Sequence, residues 1–219
     1  IMCTKLGTVG FAADGAFAEY GLFNEYAILK LPHSVTDDMG AVVEPLAVAV
    51  HAVNRSRMKV GDSVAVVGAG PIGLLVMQAS LAAGASRVFM DAPMKARRDI
   101  ASETGAAAVI DPTETDSGKA VGALTDGLRA DLAFDCVGNQ ASFDTAVRVT
   151  GRRAIICVVG LALKPIEIPF IRLWGHEKEL TFSSGYENEF PAAIACLADG
   201  RVRVEKLISD RIRLDDLVE

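Results

Sequence analysis

The sequence predicts a doubly wound α/β fold, a parallel six-stranded sheet of the Rossmann type, and three observations point to it. From about residue 60, short apolar runs alternate with longer helical patterns, which is the signature of βαβ units. The first run and the first helical pattern are separated by Gly68-Ala69-Gly70-Pro71-Ile72-Gly73, a G-x-G-x-x-G loop. The 219 residues are 51% hydrophobic, enough to bury a sizeable core.

The predicted strands are Ser63–Val67, Arg87–Met90, Ala107–Ile110, Asp131–Phe134, Ala154–Val158 and Leu180–Phe182. Each is a short apolar run bounded by turn residues, as strands buried on both faces should be. Between them lie helical patterns at Ile72–Ala83, Lys95–Thr104, Gly118–Leu128, Ala141–Val149 and Asn188–Ala198. Six strands so interleaved make two mononucleotide-binding halves. The first 60 residues read differently: Phe17–Tyr20 and Tyr26–Lys30 as strands, Pro32 as a turn, and Ala41–Val53 as an apolar helix interrupted by Glu44 and Pro45. After Gly200, Val204–Ile208 returns to a strand pattern and Leu214 opens a helical one.

Composition excludes several classes of function. Twenty-two Lys and Arg against 28 Asp and Glu leave a formal charge of −6, the wrong sign for a nucleic-acid footprint. Ser63 to Ser86 is a stretch of 24 residues without a charge, long enough to span a bilayer. Gly68, Gly70, Pro71 and Gly73 divide it into a strand, a turn and a helix, so no membrane span is expected. The start, Ile1-Met2-Cys3-Thr4-Lys5, has neither the n-region nor the h-region of a signal peptide. Cys3, Cys136, Cys157 and Cys196 show no Cys-x-x-Cys spacing; reduced thiols and a cytoplasmic location are expected. With no initiator Met at its start and a helical pattern at its end, the chain reads as a piece of a longer polypeptide.

The glycine loop carries the chemistry. Gly68 permits a tight turn, Gly70 leaves room for a pyrophosphate at the backbone, and Gly73 allows close helix-on-strand packing. Pro71 and Ile72 open the helix, where a missing proline N–H costs little and the free N–H groups favour an anion. Asp91, 18 residues beyond Gly73, is placed to hydrogen-bond the adenosine ribose, which favours NAD over NADP. A methyltransferase using S-adenosylmethionine carries a similar loop and acid, so these residues alone leave hydride and methyl transfer both open.

Further strings decide between them. Gly10-Phe11, Asp14-Gly15-Ala16-Phe17-Ala18-Glu19-Tyr20 and Glu44-Pro45-Leu46-Ala47-Val48-Ala49-Val50-His51-Ala52-Val53, followed by the glycine loop, resemble the zinc-dependent medium-chain dehydrogenases/reductases. Phe134-Asp135-Cys136-Val137-Gly138, Leu180-Thr181, Tyr186, Phe190-Pro191 and Ala198-Asp199-Gly200 are most similar to the butanediol and sorbitol dehydrogenase branch. The resemblance runs through essentially the whole chain. It implies four parts: residues 1–40 as the tail of a GroES-like, β-rich catalytic domain, 41–60 as a connecting helix and linker, 61–198 as an NAD(P)-binding Rossmann domain, and 199–219 as a return segment to the catalytic domain.

The same resemblance implies site residues. Glu44 lies near a catalytic zinc, directly or through water, and Cys3 is one ligand of a structural zinc that is complete only in an intact protein. Zinc then acts as a Lewis acid on the oxygen of a small alcohol or polyol while hydride passes to the nicotinamide. The pyrophosphate lies at Gly68–Gly73, the ribose at Asp91, and the nicotinamide near Cys136-Val137-Gly138 and Val159-Gly160. Cys136 and Cys157 fill core space, and His51 is a hydrogen-bonded core histidine. Phe170 and Trp174 either meet a second copy in a homodimer or homotetramer or cover the sheet internally.

In one place the chain departs from the family pattern. Aligning Pro93 and Arg97-Arg98 puts the family's acidic position at Ala92, with Asp91 one residue early. One step along a strand turns a side chain to the other face, so NADP remains possible, with Arg97 or Arg98 near a 2′-phosphate. A nucleotide-binding module without catalysis and a zinc-independent quinone reductase of the same superfamily also stay open.

Overall fold

The computed structural model describes residues 9, 10 and 12–217. Cys3 and Phe11 lie outside the described residues.

Six parallel strands form one sheet in the order β3-β2-β1-β4-β5-β6. They are β1 (Ser63–Val67), β2 (Arg87–Asp91), β3 (Ala108–Ile110), β4 (Ala130–Asp135), β5 (Thr150–Val158) and β6 (Glu179–Phe182). The helices are α1 (Asp37–Gly40), α2 (Val43–Arg55), α3 (Pro71–Ala82), α4 (Lys95–Glu103), α5 (Ser117–Ala123), α6 (Gln140–Val149), α7 (Phe170–Gly175) and α8 (Phe190–Ala198). The sheet therefore winds outward in both directions from β1 and β4, the doubly wound arrangement that the alternation of strands and helices predicts.

Each side of the sheet has its own core. Val64 and Val66 of β1 pack with Leu46, Leu75, Met77 and Leu197 from the α2, α3 and α8 side. Ala65 and Val67 pack with Phe143, Val147 and Ile156 toward α5 and α6. The period of two in the strand divides these residues, and burial on both faces explains why Val64 to Val67 are all apolar. Ser63–Ser86, the uncharged stretch, is β1, the glycine turn and α3. Among the described residues no helix is long and apolar enough to cross a membrane.

The carboxyl ends of the strands are in register. Val67 stands opposite Asp91 on one side and Asp135 on the other, Asp135 opposite Val158, and Val158 opposite Phe182. The loops that leave these residues meet along one edge, and the order of strands reverses between β1 and β4. Such a crevice is where doubly wound sheets bind ligands.

Several expected elements differ. Phe17–Tyr20 is a bend and Tyr26 lies in a short 3₁₀ turn, Glu25–Ala27, rather than in strands. A strand needs a partner for its backbone groups, and Phe17, Tyr20 and Tyr26 are exposed instead. Val204–Ile208 is likewise no strand: Val204 is buried, but its carbonyl accepts from Leu207 N–H in a turn. The helix expected to run to Leu128 ends at Ala123, because Asp126 and Gly127 take positive φ. The pattern opening at Leu214 is one 3₁₀ turn, Leu214–Asp216. β5 starts four residues early, at Thr150, through an irregularity in its pairing with β4 between Ala130 and Leu132.

Candidate functional site

The glycine loop is built as its spacing requires. Gly68 has φ +97°, and its N–H donates to the Asp91 carbonyl at 2.8 Å, tying the loop to β2. A Cβ on Gly73 would stand 1.8 Å from the Gly68 carbonyl oxygen, so only glycine fits there. Gly70 is different: a Cβ there would meet only Arg97 Nη1, at 3.8 Å. The space in front of Gly70 is open to a ligand. Gly70 caps α3 without a side-chain hydrogen bond, and Pro71 begins the helix. The first N–H groups of α3 thus lack capping partners, and the helix dipole adds positive potential.

An open cleft of about 550 Å³ lies in front of this loop. Gly68, Gly70, Asp91, Ala92, Arg97, Cys136 and Val137 line it together. Six of the predicted cofactor residues therefore converge, with Ala92 beside them. Ile72 turns partly into the core against α3's neighbours. Val159 and Gly160 line an adjoining cavity of about 570 Å³ instead, with Leu161, Ile166, Phe182 and Ser183.

The seam between the two cavities is a contact of backbones. A Cβ on Gly138, which has φ +79°, would stand 2.6 Å from the Gly160 carbonyl carbon. Asp135, fully buried at the end of β4, organises both sides. Its Oδ1 accepts from the N–H groups of Val137 and Gly138 at 3.0 and 3.1 Å. Its backbone carbonyl accepts from Val159 and Gly160, both at 2.9 Å. Asp135 has no role of its own in the sequence motif; a charged residue directly after the apolar run Leu132–Phe134 is the signal that marks it. Ser183 was also missed. Its Oγ is buried without a hydrogen-bond partner on the wall of the second cavity, which fits a ligand bringing a polar group of its own.

Asp91 points to the α5 side. Its Oδ2 accepts from Ser117 Oγ, and the residue is buried. Burial raises its carboxyl above the ordinary range, against the hydrogen bond from Ser117 and the charge of Arg148. Of the two arginines beyond β2, Arg98 is committed to the turn. It pairs with Asp111 at 2.7 Å and donates to the carbonyls of Ala92 and Pro93, both at 2.7 Å. Arg97 is exposed at the cleft.

The zinc expectation meets a different geometry. Glu44 interrupts an apolar stretch in sequence, but it is exposed in the first turn of α2. A turn of helix that projects past the core leaves its outward positions in solvent, and an acid there suits the helix dipole. Partial desolvation still raises its pKa, and its charge raises that of the nearby Tyr186 phenol, though burial does more there. Among the described residues no three His, Cys, Asp or Glu side chains are grouped to hold a metal. One carboxylate does not fit a four-ligand zinc site. His51 is a buried, hydrogen-bonded histidine as expected, its Nδ1 2.8 Å from Glu189 Oε1.

Phe170 and Trp174 are 70% and 72% exposed, so they do not cover the sheet internally. With Leu161, Leu163, Ile168 and Ile171 they leave a broad apolar surface beside β6, the edge strand of the sheet.

Residues 71–199 match the family model described as zinc-binding dehydrogenase. Over 98% of its length the chain is 36% identical to the (R,R)-butanediol dehydrogenase of Bacillus subtilis (strain 168), covering 62% of that protein. It is 29% identical to the sorbitol dehydrogenase of the same organism, over 92% of this chain and 58% of that one. The chain thus spans about three fifths of the length of these curated relatives. Among solved structures, a zinc-binding dehydrogenase from Sinorhizobium meliloti 1021 bound to NADP superposes with a TM-score of 0.93 at 29% identity, covering 99% of this chain and 65% of that one. A short chain alcohol dehydrogenase from E. coli CFT073, complexed with NADH, gives 0.91 at 28% identity, covering 99% and 64%. The fold, the glycine loop and these matches agree: the chain belongs to the zinc-binding dehydrogenase family.

Proposed function

We propose that this protein is part of a nicotinamide-dinucleotide-dependent oxidoreductase acting on secondary alcohols or polyols, substrates of the butanediol and sorbitol kind. The observation that carries the reading is the open cradle at Gly70, set at the reversal of strand order, with a second cavity beside Gly160 across the Gly138–Gly160 contact. When bound, the dinucleotide supplies the hydride acceptor or donor.

The chain's own residues bind and orient it. The first N–H groups of α3, at Ile72 and Gly73, face the pyrophosphate without a side chain at Gly70 to obstruct it. Val137, Asp91 and Arg97 line the cleft that takes the adenosine half. Val159, Gly160 and Ser183 receive the nicotinamide end in the second cavity. The rigid Gly138–Gly160 seam fixes the two halves relative to each other, and fixed positioning is most of what a hydride transfer asks of its protein.

A zinc ion held by an intact protein would supply Lewis-acid chemistry to an alcohol oxygen. Glu44 is the one carboxylate here assigned toward it, too few ligands for the site. Oligomerisation through the apolar surface of Phe170, Ile171 and Trp174 and the free edge of β6 belongs to the same proposal, since exposed edges and apolar patches ask for cover. The free thiols of Cys136, Cys157 and Cys196 support a cytoplasmic location.

Titration of the folded chain with NAD⁺, NADP⁺ and S-adenosylmethionine by calorimetry tests the reading. Saturable binding of a dinucleotide without binding of S-adenosylmethionine is expected. Binding of S-adenosylmethionine alone would move the protein to methyl transfer.

A further inference from the structure

Asp91 is the one acid that lines the cleft, and one of its carboxyl oxygens is already taken by Ser117. Along β2 the pleat places Phe89 on the α5 and α6 side of the sheet and Val88 and Met90 on the other. Asp91 continues the Phe89 face, where Ser117 Oγ donates to its Oδ2. The next position, on the Met90 face and in the cleft with Gly70, is Ala92. An alanine methyl accepts no hydrogen bond from a ribose 2′-hydroxyl, and it presents no charge to repel a phosphate.

The charges around the mouth are unequal. Asp111 is held by Arg98 and by the backbone and hydroxyl of Thr113. Asp99 is held by Lys95 at 2.8 Å. Arg97 lines the cleft, reaches toward Gly70, and has no carboxylate partner among the described residues. A guanidinium offers a fork of donors that matches phosphate oxygens.

We propose that this cleft selects the 2′-phosphorylated dinucleotide, NADP rather than NAD, and that Arg97 is the residue that recognises the phosphate. The inference rests on the dinucleotide reading above and adds to it the discrimination between the two forms. An acid at the ribose position selects NAD, and a nearby arginine accommodates NADP. Here the acid is turned to Ser117 and the arginine is free.

The experiment compares dissociation constants of the folded chain for NADP⁺ and NAD⁺, and for 2′,5′-ADP and 5′-ADP, in the wild type, Arg97→Ala and Ala92→Asp. Arg97 is exposed and Ala92 sits at a strand end, and circular dichroism reports whether each variant folds. The wild type should bind NADP⁺ at least about tenfold more tightly than NAD⁺, the scale of one charge-assisted contact. Arg97→Ala should lower NADP⁺ affinity about tenfold further than NAD⁺ affinity. Ala92→Asp should invert the preference, and the ADP pair should follow the same order. Equal or tighter binding of NAD⁺ by the wild type would overturn the proposal and leave the dinucleotide reading standing. An equal loss of both cofactors in Arg97→Ala would put Arg97 on the pyrophosphate and overturn its assigned role. Binding of none of the four would overturn the dinucleotide reading itself.

Discussion

Gly138 and Gly160 touch through their backbones: a Cβ placed on Gly160 would lie 2.4 Å from Gly138 N. Two loops that leave adjacent strands are thereby locked into one surface, and the lock depends on both residues having no side chain. Gly138→Ala adds a positive-φ penalty of about 1–2 kcal/mol to overpacking of about 1–3 kcal/mol. The expected result is a clear fall in the denaturant midpoint together with weaker dinucleotide binding. An unchanged midpoint would show that the loops can separate freely.

Asp135 fastens the same seam from below. Asp135→Ala removes two hydrogen bonds to a carboxylate, each contributing about 1.5–3 kcal/mol, and opens both loops. Asp135→Asn keeps an acceptor at Oδ1 and should recover most of the stability. Chemical denaturation of the three proteins checks the order wild type, Asn, Ala.

The loop glycines should separate folding from binding. Gly73→Ala places a methyl on the Gly68 carbonyl and should destabilise by more than about 3 kcal/mol, beyond ordinary overpacking. Gly70→Ala meets only the end of Arg97 and should leave the melting temperature nearly unchanged while reducing dinucleotide affinity about tenfold. Parallel losses in both variants would mean that Gly70 is also structural.

Lys178 gives a pH signature. Burial, with the charges of Arg172 and Arg129, lowers its pKa from 10.5 to about 8, although Nζ donates to the Val147 and Thr150 carbonyls and to Thr150 Oγ1. Between those values the unfolded chain holds the proton that the folded chain has released. Stability should therefore rise with pH from about 8 toward 10.5. Lys178→Met should remove that rise, as denaturation midpoints across this window will show.

Much of this architecture is legible in the sequence for a simple reason. β1 and α3 carry no charge and are largely apolar because most of their residues are buried, and Gly68 to Gly73 marks the turn between them. Local patterns of this kind need no knowledge of distant contacts. What the sequence hides is set by partners far along the chain. Phe17–Tyr20 has strand propensity but no neighbouring strand among the described residues. α7 is six residues long, too short for a periodic signal. The early start of β5 depends on its irregular pairing with β4. In the site, the spacing finds Asp91 but not the Ser117 hydroxyl that holds it, 26 residues away. Glu44 shows the converse, since its apolar neighbourhood in sequence does not bury it in space.

The claim on which everything else depends is that the uncapped start of α3 and the loop after β4 hold a dinucleotide. Amide hydrogen exchange of the folded chain, with and without saturating NADP⁺, reads that claim directly. Slowed exchange is expected at Ile72, Gly73, Val137 and Gly138, with little change at the amino end of β1 around Arg57 and Asp62. Unchanged exchange at the glycine loop, or protection confined to another surface, would contradict it.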